Sequence, residues 1–236
     1  HARRVQRVLR CLLAARCQLG AIRAGDNLFT ASIVAIDAYS GEYRWHFQQV
    51  HHDIWDYDAP NPVVLFDLEY NGVLRKGLAQ AGKTGWVYIL DRITGEPLIG
   101  IEERAVPQEP RQATAATQPF PIGDPFVTQS LDIPPEGFDL TNQGKIFTPF
   151  WDAPILLKRG EANWPPSTVD PKRGYMYVCA GERQAAYSTQ TDTDLATSGD
   201  RYTGGSMRFA PVPTTGVVAA VNLRDNKVVW SQRWSS

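Results

Sequence analysis

The sequence lacks an excess of basic residues and has no long apolar run. Its 24 lysines and arginines are balanced by 25 aspartates and glutamates, which gives a formal net charge of −1 at pH 7. Proteins that bind nucleic acids or anionic membranes usually carry a basic surface, and this composition does not supply one. No apolar run is long enough to cross a bilayer as a helix. We therefore expect no nucleic-acid partner.

Cysteine is also scarce. The three cysteines, Cys11, Cys17 and Cys179, form no CxxC pair and no CxxCH sequence. Neither a zinc ribbon nor a covalently attached c-type haem is therefore indicated. Their number is odd, so they do not decide the redox compartment.

Residues 1–24 differ in composition from the rest of the chain. They are rich in Arg, Leu and Ala and contain no acidic residue. Their apolar residues lie at roughly helical spacing, at Val5, Val8, Leu9, Leu12 and Leu13. The pattern predicts a basic amphipathic helix, and a truncated or misread upstream region is the alternative because no Met begins the chain. A signal peptide matches poorly, since Arg16 interrupts the apolar stretch.

From Gly25 onward, short β-rich runs alternate with turn residues, which is typical of an all-β fold. A chain of 236 residues can bury one large core, so we expect one domain rather than two. The predicted strands are Thr30–Asp37, Tyr43–Gln48, Val63–Leu68, Val73–Ala79, Gly85–Asp91, Gly144–Trp151 and Gly174–Ala180. Residues 106–126 are predicted to be a long excursion without a strand pair, and residues 184–203 an exposed loop.

One turn sequence recurs. Asp37–Glu42 (DAYSGE) aligns with Asp91–Glu96 (DRITGE) 54 residues later, and more loosely with Asn222–Lys227 (NLRDNK). In the first and last copies a Trp follows eight residues after the first turn residue, at Trp45 and Trp230. This period suits four-stranded propeller blades, with the Trp rings packed in the core or between blades. A coincidence of unrelated turns is the alternative.

The richest stretch in potential chemistry is Gln49–Asp58, QVHHDIWDYD. Its three carboxylates cannot all ionise cheaply unless a cation or hydrogen-bond donors offset their repulsion. A metal, a base with a shifted pKa and a solvated loop are all compatible with the pattern. His51 and His52 are adjacent, so on an extended backbone only one of them would face a site.

The run GDNLFTASIVAIDAYSGEYRWHFQQVHHDIWDYDAPNPVVLFDL, followed by AGKTGWVYILDRITGEP, resembles the quinoprotein dehydrogenases, which use pyrroloquinoline quinone (PQQ). The resemblance extends from about Gly25 to the C-terminus. Its specific elements are HDxWD and the downstream Lys of AGKTG, and both are closest to the glucose-dehydrogenase and broad alcohol-dehydrogenase branches. The turn repeat alone is not specific, because non-enzymatic propellers share it.

The resemblance implies roles for individual residues. Asp56 matches the catalytic aspartate, which takes the substrate's hydroxyl proton and lies beside a bound metal. Lys83, 27 residues further on, matches the cationic residue that hydrogen-bonds the quinone. Asp58 matches an extra carboxylate of the lanthanide-using members, which some alkaline-earth members share, so the resemblance implies Ca²⁺ or another large cation, a lanthanide included. Asn163 and Trp164 fall where the family places residues near the cofactor.

The resemblance also implies a fold and a cellular setting. We expect an all-β partial propeller over residues 25–236, of about four blades from an eight-bladed ring. The early blades, with a metal-binding Glu and Asn, are not visible, so the chain is interpreted as a fragment of a longer product. The family implies an alcohol or sugar substrate, a cytochrome or quinone as electron acceptor, and a periplasmic or secreted location.

Two alternatives remain open. The first is a non-catalytic propeller that serves as an assembly or sensing module, which would need the turn repeats but not the pair of Asp56 and Lys83. The second is a metal hydrolase built on His51, His52 and Asp53.

Overall fold

The computed structural model describes residues 6–11, 20–131, 135, 140–190 and 204–235. These residues form strands, loops and three single-turn 3₁₀ helices at Gly20–Ile22, Pro110–Gln112 and Asn142–Gly144. The strands are β1 (Gln6–Cys11), β2 (Ser32–Asp37), β3 (Tyr43–Gln48), β4 (Val64–Tyr70), β5 (Val73–Ala81), β6 (Val87–Asp91), β7 (Ile101–Ala105), β8 (Thr117–Pro121), β9 (Ile155–Glu161), β10 (Thr168–Asp170), β11 (Tyr175–Thr189), β12 (Gly205–Phe209), β13 (Thr215–Asn222) and β14 (Lys227–Ser235). The predicted all-β class is confirmed. In this described part, no helix is long and apolar enough to traverse a membrane.

The strands form four antiparallel sheets. β1, β2 and β3 make a three-stranded sheet, and β4, β5 and β6 make another. β7 and β8 form a hairpin. The fourth sheet has the order β10-β11-β13-β14, and β9 and β12 pair with the second half of the long strand β11. Up-and-down strand order of this kind is that of propeller blades.

The repeated turns share one local geometry. Asp37 accepts hydrogen bonds on Oδ1 from the backbone N–H groups two and three residues ahead, at 3.0 and 3.1 Å. Asp91 makes the same pair at 2.8 and 3.3 Å. A fourth copy, not predicted as part of the repeat, begins at Asp170, 52 residues before the turn at Asn222, and has the pair at 2.8 and 3.1 Å. A backbone bond from the fifth turn residue to the first closes all four turns.

Three buried clusters hold the sheets together. One lies between the sheet of β4–β6 and the sheet of β11 and β13, and includes Phe66, Ile89 and Val178. A small cluster joins the first two sheets and includes Ile33, Trp45 and Leu78. The third cluster is rich in aromatic rings: Trp55, Tyr57, Trp86, Tyr88, Phe147, Phe150 and Tyr187. It lies directly beneath the Gln49–Asp58 stretch.

Several sequence-based predictions are wrong. Gln6–Cys11 is a strand that pairs with β2 rather than part of a helix, because the edge of β2 satisfies its backbone groups. The rest of residues 1–19 lies outside the described residues, and the division of the chain at Gly25 stays a prediction. Residues 106–126 do contain a strand, β8, which pairs with β7 despite its two prolines, since edge strands tolerate proline.

Two further predictions fail in the second half of the chain. Gly144–Trp151 is a run of turns, and the strand of this region is β9, a few residues later. Residues 184–189, predicted as loop, continue β11; residues 191–203 lie outside the described residues. Trp45 is buried as predicted, whereas Trp230 is 46% exposed. Trp230 lies on β14, which has only one strand neighbour among the described residues.

Candidate functional site

The loop between β3 and β4 carries the carboxylates. Trp55 and Tyr57 point into the core, where their rings stack at 5.8 Å and Trp55 Nε1 donates to the carbonyl of Thr148 at 2.8 Å. Asp56 and Asp58 both contact the Nζ of Lys83, so their carboxylates lie on a common side of the loop. Asp56 has a φ of 63°, in the left-handed region, so its side chain points in a different direction from that of an extended residue.

Lys83 lies where these two carboxylates converge. It follows the last residues of β5, in a tight turn closed by a bond from Gly85 N–H to the carbonyl of Gly82 at 3.1 Å. Its Nζ donates to Asp56 Oδ2 at 3.2 Å, to the Asp56 carbonyl at 3.1 Å and to Asp58 Oδ1. The lysine side chain is only 6% exposed. One buried ammonium therefore contacts two carboxylates, 25 and 27 residues away in sequence.

A second cation, Arg159 on β9, reaches the same aspartate from the other side. Its Nη2 donates to Asp56 Oδ2 at 2.9 Å and to the Asp56 carbonyl at 3.0 Å. Its Nη1 donates to the Trp55 carbonyl at 2.8 Å and to the hydroxyl of Tyr187 at 2.7 Å. Its Nε donates to Glu161 Oε2 at 3.0 Å. Asp56 is thus held by two cations, and the Arg159 side chain is 2% exposed.

Burial and these charges shift the pKa values of the surrounding groups. Burial raises the pKa of Asp58 and outweighs the opposing effect of Lys83. Burial also raises the pKa of Tyr187 to about 12, so its hydroxyl stays protonated and donates to the Trp55 carbonyl at 3.1 Å. Burial, followed by the charge of Asp56, raises the pKa of Asp53 to about 7. Asp53 Oδ1 accepts from Trp55 N–H at 2.8 Å, and its Oδ2 is buried with no hydrogen-bond partner among the described residues.

Asn163 and Trp164 follow β9 and lie next to this network. The Ala162 N–H donates to the carbonyl of Gly82, the residue before Lys83, at 3.5 Å. Asn61 Nδ2 donates to the carbonyls of Asn163 and Pro165 at 3.2 and 2.6 Å, which ties their segment to the Asp56 loop. Asn163 and Trp164 line a cavity of about 420 Å³, together with Glu161, the partner of Arg159. Trp164 is 64% exposed.

Both histidines form hydrogen bonds within the loop region. His52 is buried and its Nδ1 pairs with the carbonyl of Gly25 at 2.6 Å. His51 pairs with Gln48 and with Glu103, at 2.7 and 3.1 Å. Among the residues with described positions, no group of three or more His, Cys, Asp or Glu side chains could hold a metal. The described residues therefore give no support to the metal-hydrolase alternative on His51, His52 and Asp53.

Arg159, Glu161 and Tyr187 were missed by reasoning from the sequence. The only available signal was the spacing Arg-x-Glu in KRGE, which places both side chains on one face of a strand. A run with three charged residues in four does not suggest a buried strand, yet every residue of β9 is buried. The charges are tolerated there because each is paired.

Comparison with known proteins identifies the family. Residues 14–180 match the family model described as PQQ, glucose/ethanol/alcohol dehydrogenase, beta-propeller domain. The chain belongs to this PQQ dehydrogenase family. A relative in the family, quinohemoprotein alcohol dehydrogenase ADH-IIG of Pseudomonas putida, is 35% identical over 164 residues, which is 69% of this chain and 20% of that protein. The chain thus spans about a fifth of the length of this curated relative.

Solved structures agree with the fold. Quinohemoprotein alcohol dehydrogenase from Comamonas testosteroni superposes with a TM-score of 0.63 at 23% identity, over 93% of this chain and 32% of that one. A europium-containing methanol dehydrogenase superposes with a TM-score of 0.57 at 20% identity, over 92% of this chain and 35% of that one. The predicted partial propeller of the quinoprotein type is confirmed.

The side chains at this site fit a quinone cofactor and a large cation, the two groups associated with the PQQ family. Lys83 offers a buried cation for an anionic quinone, and Asn163 Oδ1 is a buried acceptor with no hydrogen-bond partner in the described part of the chain. Asp56 and Asp58 are close enough to share one cation, as their common contact with Lys83 shows. Hard oxygen donors suit Ca²⁺ or a lanthanide, which take six or more oxygens, so these two aspartates fit part of such a coordination shell.

Proposed function

We propose that the protein acts in PQQ-dependent oxidation of an alcohol or sugar hydroxyl, with Asp56 as general base and Lys83 as the cation against the quinone. One observation carries the proposal. Two side chains 27 residues apart, on different loops, meet at 3.2 Å in a largely buried position. Pairs of titratable groups whose environments are arranged in this way are typical of catalytic sites.

Asp56 has one carboxylate oxygen free for a proton. Both cations contact Oδ2, and among the described residues no group donates a hydrogen bond to Oδ1. The side chain is 20% exposed, so Oδ1 is within reach of a substrate hydroxyl. Oδ1 accepts the hydroxyl proton as the O–H bond breaks.

PQQ, when bound, supplies the electron sink that takes the hydride from the substrate carbon. Lys83 Nζ holds a fixed positive charge that favours the reduced, more negative cofactor. Asn163 and Trp164 contribute an amide and an exposed ring beside the cofactor. Asp58 and Asp56 supply oxygen donors to Ca²⁺ or another large cation, a lanthanide included. A cytochrome or quinone would remove the electrons, in the periplasm or outside the cell.

The experiment is a titration of the purified chain with PQQ in the presence of Ca²⁺ or La³⁺, followed by absorbance, with dye-linked oxidation of primary alcohols and aldoses as the second readout. The matched pair is Lys83→Met against Lys76→Met, because Lys76 is an exposed lysine on β5. We expect saturable binding that Lys83→Met weakens at least tenfold and Lys76→Met leaves unchanged. No binding by the wild-type chain, or equal effects of both variants, would favour a non-catalytic assembly or sensing module.

A further inference from the structure

We propose that Arg159 is a positioning residue for Asp56, which fixes both the backbone and the carboxylate of the base. The inference rests on the proposed function of Asp56. Arg159 Nη2 contacts two atoms of Asp56 at once, Oδ2 at 2.9 Å and the backbone carbonyl at 3.0 Å. A single planar group that holds both atoms restricts the rotation of the side chain relative to its own backbone.

The backbone of Asp56 needs such a restraint. Its φ of 63° is sparsely populated for residues other than glycine, even though aspartate tolerates it better than most. Arg159 Nη1 adds a hydrogen bond to the Trp55 carbonyl at 2.8 Å. The guanidinium therefore binds the peptide carbonyls on both sides of the Asp56 Cα, that of Trp55 and that of Asp56 itself. Tyr187 donates to the same Trp55 carbonyl at 3.1 Å. The guanidinium and this hydroxyl therefore determine the left-handed geometry.

The guanidinium is itself fixed. Glu161 Oε2 accepts from Nε at 3.0 Å and the Tyr187 hydroxyl accepts from Nη1 at 2.7 Å. All three nitrogens thus have partners, and the Arg159 side chain is 2% exposed. Glu161 also lines the cavity that Asn163 and Trp164 border. The hydrogen-bonded series Asp56–Arg159–Glu161 therefore connects the base to the wall of that cavity.

The carboxylate orientation follows from this arrangement. With Oδ2 bound to Arg159 and Lys83, Oδ1 is directed away from both cations and accepts no hydrogen bond from the described residues. Arg159 therefore determines which carboxylate oxygen of Asp56 faces the substrate and the metal cation.

A positioning role and a purely electrostatic role predict opposite signs for cation affinity. Removal of a positive charge beside Asp56 should strengthen cation binding if charge alone matters. If Arg159 positions Asp56, its replacement should weaken cation binding, because groups that orient metal-binding carboxylates are typically worth 10- to 100-fold in affinity. The sign of the change therefore separates the two roles.

The experiment is calorimetric titration of the folded chain with La³⁺, with the Asp58→Asn variant to identify the relevant site. The test variants are Arg159→Lys, which keeps the charge but loses the separate guanidinium nitrogen that reaches the Trp55 carbonyl, and Arg159→Met combined with Glu161→Gln, which leaves no unpaired carboxylate. We expect both to bind La³⁺ at least tenfold more weakly than the wild type, with unfolding still cooperative. Unchanged affinity in Arg159→Lys together with tighter binding in the double variant would overturn the positioning role.

A second measurement keeps the two proposals distinguishable. If the wild-type chain binds La³⁺ no better than Asp58→Asn does, the metal assignment of the proposed function fails, and the crystal structure of Arg159→Lys decides the role of Arg159. Positioning predicts a changed φ at Asp56 and a lost contact between Asp56 and Lys83. An unchanged φ and an intact contact would contradict it.

Discussion

Asp37 and Asp56 show two ways in which this chain holds a carboxylate. Asp37 sits at the start of a repeated turn, where its partners are the two backbone N–H groups just ahead of it and Arg44, all within seven residues. Asp56 is held by Lys83 and by Arg159, which lie 27 and 103 residues away. The first arrangement is local, and its cation, Arg44, is 35% exposed; the second depends on the tertiary fold, and both of its cations are buried. The comparison separates a carboxylate held by its own turn from one held by two cations distant in sequence.

The largest expected effect concerns the buried cation. Replacement of Arg159 with Leu leaves the Asp56 and Glu161 carboxylates without their common partner, which should lower the free energy of unfolding by about 3 to 5 kcal/mol. Urea unfolding at pH 7, followed by tryptophan fluorescence, measures the change. A loss below about 1 kcal/mol would show that solvent screens the network around Arg159. Asp56 and Asp37 would then not differ in how they are held.

The next prediction uses the pH dependence of Asp53. Its pKa is about 7 in the folded chain against an ordinary value of 3.8, so the folded state binds the extra proton between these values. The contribution of Asp53 to stability should therefore be greatest below about pH 4 and be lost as pH rises through 7, a change of at most about 4 kcal/mol. Asp53→Asn should remove that contribution and be more stable than the wild type at pH 8. Parallel stability curves for the two proteins between pH 4 and 8 would contradict the assignment.

The repeated turns offer a matched pair of glycines. Gly41 and Gly95 both have positive φ, of 74° and 81°. A Cβ at Gly41 would have no atom within 4 Å, whereas a Cβ at Gly95 would come within 2.6 Å of the Trp45 ring. Gly41→Ala should cost about 1 kcal/mol for the left-handed conformation alone, and Gly95→Ala about 1 to 3 kcal/mol more for the clash. Equal losses in thermal or urea unfolding would show that Trp45 does not pack on the turn.

The smallest expected effect is at the exposed ion pair. Arg44 Nη2 donates to Asp37 Oδ2 at 3.0 Å, but this pair is screened by solvent and the backbone bonds to Asp37 do not need it. Arg44→Gln should leave the urea midpoint unchanged within error, in contrast to Arg159→Leu. A shift comparable with that of Arg159→Leu would remove the distinction between the two carboxylates.

The sequence predicts local features better than distant contacts. The turns at Asp37 and Asp91 could be predicted because the hydrogen bonds that close them lie within the motif itself. Lys83 could be linked to Asp56 through a family resemblance. The role of Arg159 could not be predicted, because its partner Asp56 lies more than 100 residues away in sequence and its partner Tyr187 lies 28 residues away. The strand β9 was missed because its charged residues read as exposed, although pairing allows their burial. β1 was missed because the spacing of its apolar residues suits a helix, and only its pairing with β2 makes it a strand.

The most direct test of the central claim is a double-mutant cycle on PQQ affinity. Absorbance titrations of the wild-type chain, Asp56→Asn, Lys83→Met and the double variant, with La³⁺ present, give the coupling between the two side chains. If both act on one bound quinone, the effects on binding free energy should be non-additive by about 1 kcal/mol or more. Additive effects, or PQQ binding that neither substitution changes, would contradict a shared cofactor pocket.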